Sequence, residues 1–352
     1  MITIDGSQYS GSGAIVRQSV AFSALTGQSI HIVNARVRRE KPGLRPQHIR
    51  VVEAICQLVD GTAEGLCEGS REVVFRPGTS RGGRQYCWDI GSAGSTTMLA
   101  LAVLPVLAFG SALSLVEIRG GLFQDFAPSF YHVKYVMLPL LRRMGLETDV
   151  DMERPGYVPR GDGRLHLTVK PLFQVLRNII LEKRGEVERV WGIALASHLE
   201  ERKVSHRMAE AANEVFAAAG YRADIQVRDD TASPQPGAAL AAFSDCVGGA
   251  RLGADQAGAL RRRAEFIGKY VARQLLDELK TGATLDRFAA DQIIPFAALA
   301  EGESRFSIPM VTDHVLTSAW LAKTFLGAEV RIDGHRLSIN GVGLGPASGR
   351  ST

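Results

Sequence analysis

The stretch DGSQYSGSG, residues 5–13, follows the apolar run ITI and precedes an amphipathic segment, so it joins a strand to a helix through a glycine-rich turn. The same arrangement returns at IGSAGS, residues 90–95, and at IRGG, residues 118–121. The intervals between the copies are unequal, which favours one domain of repeated units over a solenoid. Strands that alternate with helices predict packed α/β layers in which helices cover sheets.

The repeated pattern continues on both sides of these turns. Predicted strands cover residues 2–4, 29–34, 73–75, 86–89, 113–118, 147–151 and 164–169. Predicted helices cover residues 14–24, 47–59, 93–109, 130–144, 285–299 and 312–325, and a hairpin is predicted at 329–339. We therefore expect an α/β (α+β) fold whose large domain, residues 1–178 and 281–341, holds three repeated βαβαββ-type units with helices packed on sheets.

Residues 179–280 differ in character and are expected to form a smaller inserted α/β domain. Strands are predicted at 188–197, 221–227 and 238–243, and helices at 200–219 and 256–280. The stretch RDDTASPQPG, residues 228–237, is rich in turn formers and is predicted to be mobile. Residues 342–352 are expected to form a flexible tail.

The composition excludes some classes of protein. The formal net charge of the 352 residues is only +4, so any nucleic-acid-binding surface has to be local. Basic residues cluster between residues 36 and 50, whereas the triplet at 261–263 is interpreted as a solvated helix face. The four cysteines lack CxxC spacing, so neither structural zinc nor a disulfide framework is expected. No signal peptide is recognised and the apolar run at 96–110 is too short to cross a bilayer, so we expect a cytoplasmic protein without membrane association.

Two features could support chemistry on phosphates. Glycine turns before helices can bring backbone N–H groups to phosphate oxygens, and Gly11, Gly13, Gly91 and Gly94 are the candidates. Tight α/β turns also need glycine for purely geometric reasons. His314 opens a predicted helix, and no neighbouring serine or cysteine has a spacing that would pair with it. From the residues alone, this histidine is either structural, exposed or a nucleophile.

Several blocks resemble one family. The segment RVRREKPGLRPQHI, residues 36–49, is similar to the R-x-x-R-x-x-P-G-L-x-x-Q-H pattern of the RNA 3'-terminal phosphate cyclase family. Residues 75–95, 154–163 and 290–300 match further blocks of that family, in the same order along the chain. His314, in DHVLTS, falls where the family keeps its nucleophilic histidine. Ordered blocks are far more specific than a single glycine loop.

The resemblance implies a reaction and a set of ligands. The family consumes ATP, forms a covalent histidine–AMP, passes AMP to an RNA 3'-terminal phosphate and closes a 2',3'-cyclic phosphate. It therefore implies ATP with Mg²⁺ or Mn²⁺, an RNA partner and a possible homodimer. The catalytic residue would be His314.

The resemblance also assigns binding residues. Arg17, Arg36, Arg39, Gln47 and His48 would contact the RNA or its phosphates. Guanidinium groups suit bidentate contacts with phosphate oxygens. The nucleotide would be bound by the following residues: Pro128 and Phe288, which would sandwich the adenine, together with Asp291, Gln292, Gly91 and Gly94.

Four positions depart from the family pattern. Ser10 stands where a carboxylate is expected to help hold the metal, so the metal ligands are left unknown. Ala14, Leu101 and Tyr131 replace glutamine, glutamine and aspartate, and all four changes are expected on the active-site side. A non-catalytic RNA-binding relative, acting in ribosome assembly or RNA processing, remains an alternative. A small-molecule transferase of related architecture, such as an enolpyruvyl transferase, is a third possibility, but only the fold would favour it.

Overall fold

The protein is described by a computed structural model that covers residues 1–79 and 84–346. In these residues the strands form four sheets of four strands each. Within the same ranges, no helix combines the length and the apolar character needed to cross a membrane.

The first sheet is built by the N-terminal residues in the order β1-β2-β4-β3. The strands β1 and β2 are parallel, because the helix between them carries the chain back across the sheet, and the remaining pairs are antiparallel. The elements in chain order are β1 (Ile2–Asp5), α1 (Gly13–Thr26), β2 (Ile30–Val33), α2 (Pro46–Val59), β3 (Thr62–Glu64) and β4 (Val73–Arg76).

The second sheet repeats this topology in the order β5-β6-β8-β7. Its central helix α3 is buried at every position except Met98, so it forms the centre of the core. The elements are β5 (Gln85–Asp89), α3 (Thr96–Ala108), β6 (Ser114–Gly120), α4 (Phe130–His132), a π-helical turn (Val133–Met137), α5 (Leu138–Arg143), β7 (Thr148–Arg154) and β8 (Gly163–Val169).

An insertion separates the first strand of the third unit, β9 (Ile180–Leu181), from the rest of that unit. The inserted sheet has the order β11-β10-β12-β13, and two helices, α6 and α7, pack on it. Its elements are β10 (Val187–Ser197), α6 (Val204–Ala218), β11 (Ala223–Asp230), β12 (Gly237–Cys246), β13 (Arg251–Ala257) and α7 (Ala264–Lys280).

The third sheet of the repeat, β9-β14-β16-β15, restores the topology of the first two. The three predicted βαβαββ-type units are thereby confirmed. The domain boundaries at residues 178 and 280 stay predictions. The elements after the insertion are α8 (Arg287–Gln292), α9 (Ile294–Leu299), β14 (Glu301–Ser307), α10 (Asp313–Leu326), β15 (Glu329–Asp333) and β16 (Arg336–Val342).

Several local predictions are wrong. The helix predicted at 256–280 begins at Ala264, because Gln256 and Ala257 end strand β13, where pairing with β12 overrides helical propensity. The helix predicted at 285–299 is two helices, since Pro295 lacks the N–H that would continue the first one. Strands β3, β9, β13 and β14 are not predicted as strands.

Two segments that are predicted to be mobile contain regular structure and hydrogen bonds. The stretch 228–237 begins as strand β11, and Ser233 and Gln235 are then buried and hydrogen-bonded. In the predicted tail, Val342 ends β16 and the N–H groups of Gly343 and Leu344 donate to carbonyl groups at Ala300 and Leu299. Residues 347–352 lie outside the described residues.

Candidate active site

One cleft collects most of the predicted site residues. It has a volume of about 820 Å³ and is lined by the first turns of α1, α2 and α10, by α8 and by the loop after β2. We refer to it as the main cleft. The predicted residues that line it are Gly13, Arg17, Arg36, Arg39, Gln47, His48, Pro128, Phe288, Asp291, Gln292 and His314.

His314 is the second residue of α10 and is half-buried. The helix begins at this point because the Thr312 side chain accepts a hydrogen bond from the Val315 N–H at 3.2 Å. Burial lowers the pKa of the His314 imidazole, and the nearby Arg17 and Arg39 lower it further. The imidazole is therefore neutral at pH 7 and keeps a lone pair for nucleophilic attack.

Three arginines surround this part of the cleft. Burial lowers the pKa of Arg17 to about 10; the Asp291 carboxyl opposes this shift, while Arg36 and Arg39 add to it, so Arg17 remains charged at pH 7. Arg36 donates to the backbone carbonyls of Lys41 and Gly43, which fixes its guanidinium. Among the described residues, none of the three arginines forms a salt bridge with a carboxylate. Adjacent like charges without partners favour an anionic ligand.

The first turn of α2 contacts both the first glycine turn, residues 5–13, and the second, residues 90–95. The Gln47 Oε1 atom accepts the Ser95 N–H at 2.9 Å, at the start of α3. The His48 Nδ1 atom accepts the Arg45 N–H at 3.1 Å, so the proton of the neutral ring lies on Nε2. Burial, followed by the neighbouring arginines, lowers the pKa of His48 well below its usual value. The Nε2–H group packs against Gly13 and is available to donate to a ligand.

Gly13 is required by this packing. A Cβ atom at Gly13 would overlap the His48 ring and would lie 3.0 Å from Arg17 Nη1. We expect Gly13→Ala to displace His48 and Arg17 and to lower by about tenfold or more the rate of the AMP capture from ATP that the family resemblance implies. A rate assay with labelled ATP measures the loss. In the His48→Ala variant the methyl group added by Gly13→Ala has room, so Gly13→Ala should lower the rate by a smaller factor there. An equally large loss of rate in both backgrounds would contradict a clash with His48.

Helix α8 presents the predicted adenine-binding residues. The Asp286 side chain caps it by accepting the N–H groups of Phe288 and Ala289 at 3.0 and 2.9 Å. Burial raises the pKa of the Asp291 carboxyl to about 7, and the Gln292 amide donates to it at 2.6 Å. Phe288 and Pro128 both line the main cleft, together with these polar groups.

In the second glycine turn, Ser95 lines the main cleft, whereas Gly91 and Gly94 do not. The Gly91 N–H donates to Asp89 Oδ1 at 2.7 Å and the Gly94 N–H donates to Ser92 Oγ at 3.3 Å. Both amides are therefore already used within their own turn, and Gly94 packs on Gln47. Phosphate contacts by Gly91 and Gly94 stay a prediction that this geometry does not support.

None of the four departures from the family pattern lines the main cleft. Leu101 and Tyr131 are buried in the core on α3 and α4, and Ala14 is buried in α1. Ser10 lies beside the cleft and contacts the hydroxyl groups of Ser12 and Thr317, each at 2.9 Å.

The residues present do not fit a metal site formed by protein ligands. Across residues 1–79 and 84–346, no three His, Cys, Asp or Glu side chains are grouped so that they could hold an ion. The acidic residues of the cleft already have partners: Asp125 contacts Arg262, Asp255 accepts the Ser129 N–H, and Asp291 accepts from Gln292. Ser10 and Ser12 offer hydroxyl groups where divalent ions prefer carboxylates.

One wall of the cleft could not be predicted from the sequence. It comes from the insertion and includes Arg262, which forms a bidentate pair with Asp125 at 2.9 and 2.8 Å. The interpretation of residues 261–263 as a helix face is wrong, because they precede α7. No local signal could have found this pair, since its members are 137 residues apart.

A buried ion pair between His132 and Asp286 lies behind the part of the main cleft that Phe288 lines. His132 and Asp286 are both fully buried, and His132 Nε2 lies 3.0 Å from each Asp286 oxygen. Asp286 also accepts the Gly253 N–H at 2.8 Å, and the His132 ring packs edge-on against Phe288. Burial alone lowers the pKa of His132, but the Asp286 carboxylate reverses this and the net shift is upward. The pair joins α4, β13 and α8, which carries the predicted adenine-binding residues.

Arginines without carboxylate partners beside a neutral imidazole are typical of sites at which nucleotides or phosphates are transferred. A model of the RNA 3'-terminal phosphate cyclase family matches residues 8–332. The chain belongs to this family, and the resemblance seen in its sequence blocks is confirmed.

Individual proteins named RNA 3'-terminal phosphate cyclase are similar over nearly the whole chain. One from Staphylothermus marinus is 36% identical and covers 98% of this chain and 99% of its own length. One from Hyperthermus butylicus is 38% identical and covers 96% of each chain. The solved structure of the enolpyruvyl transferase NikO from Streptomyces tendae gives a TM-score of 0.39 at 11% identity, covering 98% of this chain and 49% of that one. A score this low establishes no shared function.

Proposed function

We propose that the protein uses ATP to convert an RNA 3'-terminal phosphate into a 2',3'-cyclic phosphate, through histidine–AMP and RNA–adenylate intermediates. The observation that supports this most directly is the neutral His314 imidazole in a cleft with Arg17 and Arg39, neither of which has a carboxylate partner among the described residues. Membership of the family and the names of the relatives agree with it.

The reaction would proceed in three displacements. The His314 lone pair attacks the α-phosphorus of ATP, so a P–N bond forms as the P–O bond to pyrophosphate breaks. An oxygen of the RNA 3'-phosphate then attacks the same phosphorus and the imidazole leaves, which gives RNA–(3')pp(5')–adenosine. The ribose 2'-OH finally attacks the 3'-phosphorus, AMP leaves, and the hydroxyl proton passes to solvent. AMP thereby supplies the leaving group that a phosphate monoester lacks.

The chain's own residues would position these groups and neutralise their charge. Arg17 and Arg36 would contact the phosphates, with the more exposed Arg39 at the rim. The His48 Nε2–H and the Gln47 amide would donate to the nucleotide or RNA. Pro128 and Phe288 would contact the two faces of the adenine. Asp291 and Gln292 would contact its edge. Mg²⁺ or Mn²⁺ would enter with the phosphates of ATP, and we assign it no step.

Capture of AMP tests the proposal. The protein is incubated with ATP labelled at the α-phosphate and with Mg²⁺ or Mn²⁺, and label is sought on the denatured chain. Acid-labile, alkali-stable label supports histidine–AMP, and an RNA 3'-phosphate that becomes phosphatase-resistant supports cyclisation. The absence of label with either metal would favour a non-catalytic RNA-binding relative, the alternative that the hydroxyl contacts of Ser10 favour.

A carboxylate at position 10 should strengthen metal-dependent activity. Ser10 lies beside the main cleft but offers only a hydroxyl group, which contacts Ser12 and Thr317. We expect Ser10→Glu to raise the rate of AMP capture at limiting Mg²⁺ by about tenfold, because a carboxylate can bind the ion directly or through water. Ser10→Gln has the same size without the charge and should give no gain. Equal rates for the two variants across Mg²⁺ and Mn²⁺ would contradict a metal-binding role for this position.

A further inference from the structure

We propose that the exposed face of α7 binds the RNA strand upstream of its 3'-phosphate, with bases stacking on Phe266 and Tyr270. This rests on the proposed function, because it assumes that the end of an RNA strand occupies the main cleft. It assigns to the insertion a role in holding the substrate.

The two faces of α7 differ sharply. Ile267, Val271 and Leu275 are fully buried against the inserted sheet and α6. Phe266 and Tyr270, one turn apart on the other face, are 55% and 39% exposed. Their rings stack on each other at a centroid distance of 5.9 Å and an interplanar angle of 23°. The fold does not bury these rings, so their exposed surface is available to a ligand.

A groove along this face opens into the main cleft. It has a volume of about 330 Å³ and contains Lys269 and Arg273 in addition to the two aromatic rings. Phe266, Tyr270 and Arg287 line both this groove and the main cleft. A strand whose end lies beside His314 therefore has a continuous path onto α7.

The charge of the groove favours a polyanion. In the part of the chain that the structure describes, Arg273 has no acidic partner. Lys269 lies 3.7 Å from Glu214 at an exposed position, a weak pair that a phosphate could replace. The acidic residue of the groove, Asp277, is paired with Lys280 at 2.9 Å. Stacked aromatic rings flanked by cations are what single-stranded nucleic acid requires, since each base supplies a planar face and each phosphate a charge.

Binding affinity as a function of RNA length tests this inference. The probes are a labelled RNA of about 12 nucleotides that ends in a 3'-phosphate, and a 3'-phosphorylated dinucleotide, with fluorescence anisotropy as the readout. We expect the double variant Phe266→Ala and Tyr270→Ala to weaken binding of the longer RNA by about tenfold or more, and to weaken binding of the dinucleotide much less. Tyr270→Phe keeps a ring and should retain the affinity. Phe173→Ala removes a ring that is 84% exposed and lies outside both grooves, so it is the matched control.

Two results would overturn the inference. The first is a double variant that binds the longer RNA as the unaltered protein does, or that loses affinity for both probes equally. The second is a dimer that becomes monomeric in the double variant during sedimentation, which would make this face an interface between copies of the chain. Binding is measured without ATP, so the inference can fail while AMP capture by His314 succeeds, and the reverse also holds.

Discussion

Replacing His314 by alanine is expected to abolish covalent capture of AMP while the fold is kept. The imidazole is the proposed nucleophile. Among the described residues that line the main cleft, the only other imidazole is that of His48, whose Nδ1 accepts the Arg45 N–H. Loss of the nucleophile removes the covalent route completely. Label from the α-phosphate of ATP, counted on the denatured chain, measures the effect. His206→Ala removes an exposed histidine from α6 and is the matched control.

The pH dependence gives an independent check on His314. Its pKa lies below the ordinary value of 6.5, mainly because the side chain is half-buried beside two arginines. The protonated ring has no lone pair, so the rate of AMP capture should be nearly constant above pH 6.5 and fall as the pH drops through the lowered pKa. A rate that falls already between pH 8 and 7 would exclude this imidazole as the nucleophile. Label retained by His314→Ala would exclude it as well.

Replacing Asp286 by alanine is expected to lower the free energy of unfolding by about 3–5 kcal/mol, the largest stability effect that we predict. The substitution leaves the buried His132 without its partner and deprives three N–H groups, at Gly253, Phe288 and Ala289, of their acceptor. Urea unfolding measures the loss. Asp224→Ala, which breaks an exposed pair with Arg189, should cost less than about 1 kcal/mol. Similar losses for the two variants would contradict a special role for the buried pair.

The same pair predicts how stability changes with pH. The folded pKa of His132 lies above 6.5, so its contribution is full below pH 6.5 and is lost as the pH rises through the raised value. For Asp286, burial raises the pKa and the His132 charge more than offsets it, so the folded value lies below 3.8. This contribution is full above pH 3.8 and is lost as the pH falls through the lowered value. The pair therefore stabilises most between about pH 4 and 6.5, and His132→Ala should abolish the pH dependence that the titration of His132 contributes to urea unfolding above pH 6.5.

Local patterns were sufficient to predict the repeated units. Each glycine turn is encoded within about ten residues, and α1, α2 and α10 begin close to their predicted positions. They were not sufficient for β13, where residues such as Gln256 have helical propensity but pair with β12. Tertiary pairing of this kind depends on residues far away in the sequence.

In the candidate site, too, local sequence patterns predict some residues, whereas others depend on contacts between distant parts of the chain. The residues that line the cleft from α1, α2, α8 and α10 carry motifs, and their gathering in one cleft agrees with the family pattern. The wall contributed by the insertion carries no sequence motif. Arg262 can be recognised as part of the site only from its pair with Asp125, which is distant in the sequence. The use of the Gly91 amide within its own turn likewise depends on a side-chain rotamer of Asp89, which a sequence pattern does not specify.

The contacts between α1 and α10 have a consequence for how the protein acquires activity. Gln18 donates to Ser318 at 2.7 Å and Ser10 contacts Thr317, so the first and last helices of the repeat are neighbours across about 300 residues. Contacts of such high sequence separation form late in folding, because most of the chain has to be ordered before they can close. During synthesis the N-terminal unit can fold while α10 is still within the ribosome. His314 would then meet Arg17 only after α10 has been made, so the proposed capture of AMP would require both ends of the repeat.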